Sequence, residues 1–160
     1  MIKITLICVG KLKEKFFIDA FNEYSKRLSG YCSFNCTELA ENRLPENPNE
    51  TQIAAALEKE GAAILKSIPS GSYVVSMCVE GKKLPSEGIA RIIREREDSG
   101  KPKLCVIIGG SYGLSDSVKK ASNLRLSVSD MTFPHHLVRV MVAEQLYRGF
   151  KINEGSAYHK

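Results

Sequence analysis

Apolar and polar residues follow two different periods along the chain, and each period predicts a different kind of element. Short, nearly unbroken apolar runs at residues 2–9, 73–79 and 104–108 predict buried strands. Residues 31–39 alternate apolar and polar positions, which predicts a half-exposed or edge strand, and residues 124–129 form the last predicted strand. Apolar residues at helical spacing predict helices over residues 13–28, 51–67, 85–98 and 134–150.

Residues that favour helix ends mark the limits of these helices. Gly30 is expected to end the first helix, and Thr51 to cap the second. Thr132 is expected to cap the last helix, and Pro134 suits its first turn. Segments rich in Pro, Gly and Asn at residues 42–49, 69–71 and 99–102 predict the intervening loops and turns.

The alternation of strands and helices predicts an α/β fold, a mostly parallel sheet with helices on both faces. Neither a repeat nor a long linker divides the chain, so residues 1–160 are expected to form a single domain. Ligands of such sheets bind outside the carboxyl ends of the strands. Glycine-rich and polar strand ends are concentrated late in the chain, at residues 79–82, 109–113 and 129–135. No Walker sequence is present, so ATP hydrolysis is not expected.

Composition narrows the classes of function. Apolar residues make up 43% and charged residues 26% of the chain, as in soluble globular proteins, and no apolar run is long enough to span a membrane. A signal peptide is not indicated either, so we expect a cytoplasmic protein. Five cysteines without zinc spacing predict reduced core thiols and no metal site. The net charge of +5 suits a polyanionic partner, although many basic proteins bind no nucleic acid.

Three segments near the C-terminus are candidates for chemistry. Gly109-Gly110-x-x-Gly113 either brings backbone close to a ligand or makes a tight turn, and the glycines alone fit both equally. The helix at 134–150 is apolar nearly all round, which predicts that a second subunit covers part of it. His135 and Arg139 share one face of that helix and are candidates for substrate contact, or else for a cap and an interface.

The C-terminal tail combines an aromatic ring, an imidazole and a cation. Tyr158, His159 and Lys160 could stack on a base, move a proton and pair with phosphate. Composition alone favours a frayed end for such a tail.

Several of these segments together resemble the RlmH family, SPOUT-class enzymes that methylate N3 of a pseudouridine in 23S ribosomal RNA. The resemblance covers the whole chain and rests on residues 4–13 (ITLICVGKLK), 106–114 (VIIGGSYGL), 131–139 (MTFPHHLVR), 144–148 (EQLYR) and 158–160 (YHK). It implies a trefoil knot near the C-terminus and a homodimer paired through the last helix. Asp130, His136 and Tyr112 depart from the family pattern, which leaves the side-chain role of Asp130 open.

The resemblance also implies S-adenosylmethionine as cofactor, held mainly by backbone groups of three loops. Carried to this sequence, the cofactor-binding residues are Met77, Gly109, Val128, Ser129, Asp130, Met131, Thr132 and Phe133. The pseudouridine imide must lose its N3 proton before it attacks the methyl group, so a base or a stabilising cation is needed. The candidates for the catalytic site are His135, Arg139, Tyr158, His159 and Lys160. The alternatives are a SPOUT enzyme that acts on transfer RNA and a non-catalytic RNA-binding or ribosome-associated module.

Overall fold

The computed structural model describes all 160 residues, which form five strands and five helices in strict alternation. The strands are β1 (Lys3–Val9), β2 (Ser33–Leu39), β3 (Tyr73–Lys83), β4 (Lys103–Ile108) and β5 (Leu124–Ser127). The helices are α1 (Lys15–Leu28), α2 (Glu50–Ser67), α3 (Ser86–Asp98), α4 (Asp116–Ala121) and α5 (His135–Asn153). None of the five helices combines the length and the hydropathy that a membrane span requires.

All strands are parallel and lie in the order β2-β1-β4-β3-β5, so the α/β prediction is confirmed. Because side chains alternate along a strand, the central strands supply two cores. On one face Leu6 and Val106 pack with residues of α1, α3 and α5; on the other Ile7 and Ile107 pack with residues of α2 and α4. The half-exposed β2 is an edge strand, as its alternating pattern predicted.

Several predicted boundaries were wrong for local reasons. Asn49, not Thr51, caps α2: its side chain accepts from Gln52 N–H while Gln52 Oε1 accepts from Asn49 N–H. Gly30 is not in the left-handed conformation, and α1 ends at Leu28 with Ser29 as its cap residue. Pro134 occupies the cap position of α5, so Thr132 does not cap it.

Two features were absent from the predicted elements. α4 is a short helix capped by Ser115, and only Val118 of its residues is buried. β3 continues beyond residue 79 through a register shift, since both Met77 and Lys82 pair with Leu126 of β5. Gly81 lies in this irregular stretch, where an added Cβ would be 2.7 Å from the backbone carbon of Leu126. The polar segment after residue 79 is therefore a bulged strand that packs on β5.

Candidate functional site

A cavity of about 190 Å³ opens at the carboxyl ends of β4 and β5 and beside residues 77–79 of β3, where that strand becomes irregular. Its wall combines these strand ends with the loops that follow β4 and β5 and with the start of α5. The residues that line it include Met77, Cys78, Gly109, Gly110, Ser111, Gly113, Ser127, Val128, Ser129, Met131, Thr132, Phe133 and His135. No Asp, Glu, Lys or Arg lines the cavity. A ligand there would be recognised through backbone groups, hydroxyls and apolar contact.

The glycine-rich loop after β4 is folded tightly on itself. Gly113 has a φ of +83° and donates its N–H to the carbonyl of Gly110 at 3.1 Å. A Cβ at Gly109 would lie 2.3 Å from the Gly113 carbonyl oxygen, so the loop itself requires glycine at this position. The turn interpretation of these glycines is therefore correct. It does not exclude ligand contact, because the same residues line the cavity.

The loop after β5 is held by its own serines. Ser127 donates its hydroxyl to the Ser129 carbonyl at 2.9 Å, and the Met131 N–H donates to the Ser129 hydroxyl at 3.0 Å. Asp130 does not line the cavity, since its exposed carboxylate pairs with Lys83 Nζ at 2.6 Å. The aspartate side chain therefore belongs to the outer surface of the loop.

His135, the first residue of α5, is the only titratable imidazole in the cavity wall. Its Nε2 is buried and has no hydrogen-bond partner. Burial lowers the pKa of His135, and the neighbouring His136 and Arg139 lower it further, while Glu41 opposes them. The ring is therefore neutral at pH 7, with a nitrogen that no protein group occupies.

Arg139 does not reach the cavity. Its side chain is 2% exposed, and Nη1 donates to the Glu38 carboxylate of β2 at 2.5 Å. Nη2 donates to the carbonyl of Gly10, just after β1, at 3.1 Å. The guanidinium thus ties α5 to two strands, and a phosphate could bind it only by displacing Glu38. This geometry argues against the predicted substrate contact for Arg139.

The C-terminal tail folds back on α5 rather than extending from it. Tyr158 packs edge-on against Tyr147 at 5.0 Å, and its hydroxyl donates to Glu144 at 3.2 Å. His159 lies between Arg148, 3.2 Å from Nδ1, and Glu87 of α3, 2.9 Å from Nε2. These contacts hold Tyr158 and His159 in place, whereas Lys160 is exposed.

A larger apolar groove of about 560 Å³ connects the two regions. It runs between α3 and α5, and it shares four lining residues with the smaller cavity: Met77, Leu126, Ser127 and Val128. Glu144, the acceptor of the Tyr158 hydroxyl, lines its other part. The tail therefore stands at the far rim of a groove that begins at the smaller cavity.

The cavity wall contains His135 and all the predicted cofactor-binding residues except Asp130. Five of the predicted site residues lie outside it. Those outside are Asp130, Arg139, Tyr158, His159 and Lys160. Cys78 and Ser127 line the cavity but were not predicted as site residues; each is next to a predicted site residue, Met77 or Val128, which is the signal that could have found them. Glu38 and Glu87, the partners of Arg139 and His159, had no local signal. No cluster of His, Cys, Asp or Glu is arranged to hold a metal ion.

Comparisons with known proteins extend over nearly the whole chain. A family model described as "Predicted SPOUT methyltransferase" matches residues 2–159. The chain is 48% identical over 157 residues to the ribosomal RNA large subunit methyltransferase H of Clostridium botulinum (strain Alaska E43), covering 98% of this chain and 99% of that protein. The protein of the same name from Clostridium acetobutylicum is 49% identical over the same shares.

The fold is also similar to the crystal structure of the tRNA (m1G37) methyltransferase from Aquifex aeolicus. The TM-score is 0.55 at 12% identity, and the match covers 91% of this chain and 69% of that one. At such low identity the similarity supports the fold and carries no conclusion about the substrate.

Proposed function

Because the chain belongs to the SPOUT methyltransferase family, we propose that it transfers the methyl group of S-adenosylmethionine to large-subunit ribosomal RNA. The cavity formed by the glycine-rich loop and the loop after β5 is the observation that carries this proposal. It lies at the carboxyl ends of parallel strands, where ligands of such sheets bind. The trefoil knot that the resemblance implies remains part of the proposal.

The residues present fit this cofactor. A cavity without charged side chains offers backbone N–H and C=O groups of Gly109–Gly113 and of the loop after β5 to an adenine and a ribose. At about 190 Å³ it is smaller than the about 300–1,000 Å³ of common small-molecule sites. The adjoining groove supplies further room past Val128. Bound S-adenosylmethionine supplies an electrophilic methyl group that needs no metal.

We assign N3 of a pseudouridine as the acceptor, following the family resemblance. We assign His135 as the base, because it is the only imidazole in the cavity wall and burial keeps its ring neutral. Its unpaired Nε2 is shielded from solvent in the free protein, so the ring has to turn toward the bound RNA to accept the imide proton. Holding the nucleophile in line with the methyl group contributes further to the rate. Arg139 acts in this proposal as a positioning residue that fixes α5, and hence His135, against β1 and β2.

The tail is proposed to contact the RNA. Tyr158 and His159 stand at the rim of the groove, and the exposed Lys160 is free to meet a phosphate. Removing the last three residues should abolish methyl transfer to ribosomes while leaving S-adenosylmethionine affinity nearly intact. Methyl transfer at the parental rate by the truncated protein would show that the catalytic work does not involve the tail.

A homodimer paired through α5, in the cytoplasm, completes the proposal. Leu137, Val140 and Met141 are only partly buried within one chain, and Val140 and Met141 also line the groove, so a second copy could cover them and form part of the groove wall. Sedimentation at low micromolar concentration should return twice the 17.7 kDa chain mass. A fully active monomer would rule this out.

Calorimetric titration with S-adenosylmethionine tests the cofactor site directly. Val128→Trp should abolish binding, because Val128 lines both the cavity and the groove and is 39% exposed, so the fold can accept a larger ring. Leu65→Trp is the matched control: Leu65 is 37% exposed on α2, which packs on the other face of the sheet. Unchanged affinity in Val128→Trp would overturn the site. A parent protein without affinity for the cofactor would instead indicate a non-catalytic RNA-binding module.

The acceptor is tested by mass spectrometry of nucleosides. Ribosomal RNA from a strain lacking the protein should be missing one methylated pseudouridine, and the purified protein should restore it on ribosomes. Loss of a methylated nucleoside from transfer RNA, with ribosomal RNA unchanged, would support the alternative enzyme.

A further inference from the structure

A second cleft lies at the opposite edge of the sheet, between the amino ends of β3 and β4 and the last turn of α3. It has a volume of about 450 Å³ and polar walls that include Arg96, Lys101 and Asn123. Lys103 to Ile108 of β4 separates it from the methyl-transfer cavity, a distance of about 17 Å at the usual rise of a strand. Its chemistry is therefore independent of that cavity.

Arg96 is a half-buried cation without a protein counterion. Its guanidinium lies over the ring of Tyr73, 4.9 Å from the centroid. Nε is buried and has no hydrogen-bond partner, and no carboxylate lies within ion-pair distance of the side chain. Removing such a group from water is costly unless an acceptor compensates it. The terminal nitrogens Nη1 and Nη2 make no hydrogen bond to the protein either, and they are the donors that an anion in the cleft would meet.

Two further donors stand in the same cleft. Asn123 is fixed by two bonds to Val74: its Oδ1 accepts from the Val74 N–H at 2.7 Å, and its own N–H donates to the Val74 carbonyl at 2.8 Å. Its side-chain NH₂ remains free to donate. The stem of Lys101 packs near Gly71, and its ammonium has no ion-pair partner.

The charged side chains that line the cleft, Arg96 and Lys101, are both cationic. No carboxylate lines it, since the neighbouring Glu97 and Asp98 of α3 lie outside its wall. The Lys103 ammonium, close by, donates to the Ser70 carbonyl at 3.0 Å. A guanidinium, an ammonium and an amide are all donors that phosphate oxygens accept, and all three line this one cleft.

We propose that Arg96, Lys101 and Asn123 bind a phosphodiester of ribosomal RNA, as a second contact remote from methyl transfer. The proposal rests on ribosomal RNA being the substrate. The cleft is open and the protein has a net charge of +5, which suits a polyanion. An RNA chain is long enough to contact both edges of the sheet. Phosphate contacts of this kind set the position of a protein on nucleic acid. A free phosphate would use the same donors, and the experiment separates the two sources.

The first experiment measures methylation of ribosomes at several salt concentrations. Arg96→Gln should raise KM about fivefold and reduce the salt slope by about one, as expected for one lost phosphate contact. The turnover number and the affinity for S-adenosylmethionine should be unchanged. Arg91→Gln is the matched control, because it removes the same charge from an exposed site on α3 and should leave KM unchanged. An unchanged KM in Arg96→Gln, or a loss confined to stability, would overturn the proposal.

The second experiment titrates the protein with inorganic phosphate and follows the Arg96 Nε–H and the Asn123 side-chain NH₂ by NMR. Both signals should shift, and neither should do so in Lys101→Gln at the same concentration. Shifts together with an unchanged ribosome KM would identify a free-anion site and overturn the RNA contact. Co-sedimentation with ribosomes in the absence of the cofactor distinguishes failure of the proposed methyltransferase function from failure of the proposed RNA contact. A parent protein that binds but does not methylate refutes the enzyme, whereas an Arg96→Gln variant that binds like the parent refutes the cleft.

Discussion

Removing one partner of the Arg139–Glu38 ion pair should cost a different amount of stability from removing the other. The two side chains are 2.5 Å apart, but Arg139 is 2% exposed and Glu38 is 35% exposed. Glu38→Leu leaves a buried guanidinium with only the Gly10 carbonyl as acceptor, which should cost about 3–5 kcal/mol of unfolding free energy. Arg139→Met leaves a carboxylate that can regain water, so its cost should be smaller, about 2 kcal/mol.

Urea and thermal unfolding measure this asymmetry. In a domain of this size 1 kcal/mol corresponds to about 2–4 °C, so Glu38→Leu should lower the melting temperature by about 10 °C and Arg139→Met by about 5 °C. The double variant Glu38→Leu/Arg139→Met leaves no unpaired charge. It should therefore cost clearly less than the sum of the single variants.

Measurements of methyl-transfer turnover decide whether Arg139 positions α5 or acts directly on the substrate. At a temperature where Arg139→Met is fully folded, S-adenosylmethionine affinity should match the parent, and turnover should fall no more than in Glu38→Leu. Turnover that vanishes in Arg139→Met while its melting temperature is unchanged would refute the buried-pair reasoning. Equal melting temperatures for the two single variants would refute the argument from exposure.

Three further predictions follow from local geometry. Gly109→Ala should lower the unfolding free energy by about 1–3 kcal/mol, because its Cβ would meet the Gly113 carbonyl at 2.3 Å, while Gly100→Ala, with nothing within 4 Å, should not. Asn49→Ala should cost about 1 kcal/mol through loss of the α2 cap, and Thr51→Ala close to nothing. Since burial lowers the pKa of His135 in the folded state, the unfolded chain binds more protons below about pH 6.5, and stability should rise with pH through that range. Urea unfolding measures this at pH 5.5 and 7.5, about one unit either side of the ordinary histidine pKa. The unfolding free energy should rise less between these two pH values in His135→Gln than in the parent. Equal rises in the two proteins would contradict the prediction.

Much of the fold follows from periodicity because buried parallel strands leave a strong signal. β1, β3 and β4 are apolar on both faces, since helices cover both sides of the sheet, and each begins within a residue of its predicted start. α4 escaped prediction because only Val118 of its six residues is buried. Strand order is also absent from local patterns, because the pairing of β3 with β5 joins segments about fifty residues apart.

The late position of the cavity that we propose for the cofactor was predictable, and the family comparison confirms the resemblance that the motifs indicated. Glycine-rich and polar segments are concentrated in the second half of β3 and after β4 and β5, and parallel strands bring their carboxyl ends to one edge. The direction of individual side chains was not predictable. Asp130 lies in the loop after β5, which lines the cavity. Its carboxylate nevertheless points outward, where it pairs at 2.6 Å with Lys83 on the extended part of β3.

Missed caps and missed ion pairs differ in kind. The cap of α2 could have been identified from sequence, because Asn49 has Gln52 three residues later, as a capping box requires, whereas Thr51 has Ala54. Arg139 offered no such signal. A cation four residues after His135 on an apolar helix fits a substrate site and a buried ion pair equally well. What decides is the position of Glu38, 101 residues away on an edge strand, and only the folded sheet places that carboxylate beside α5.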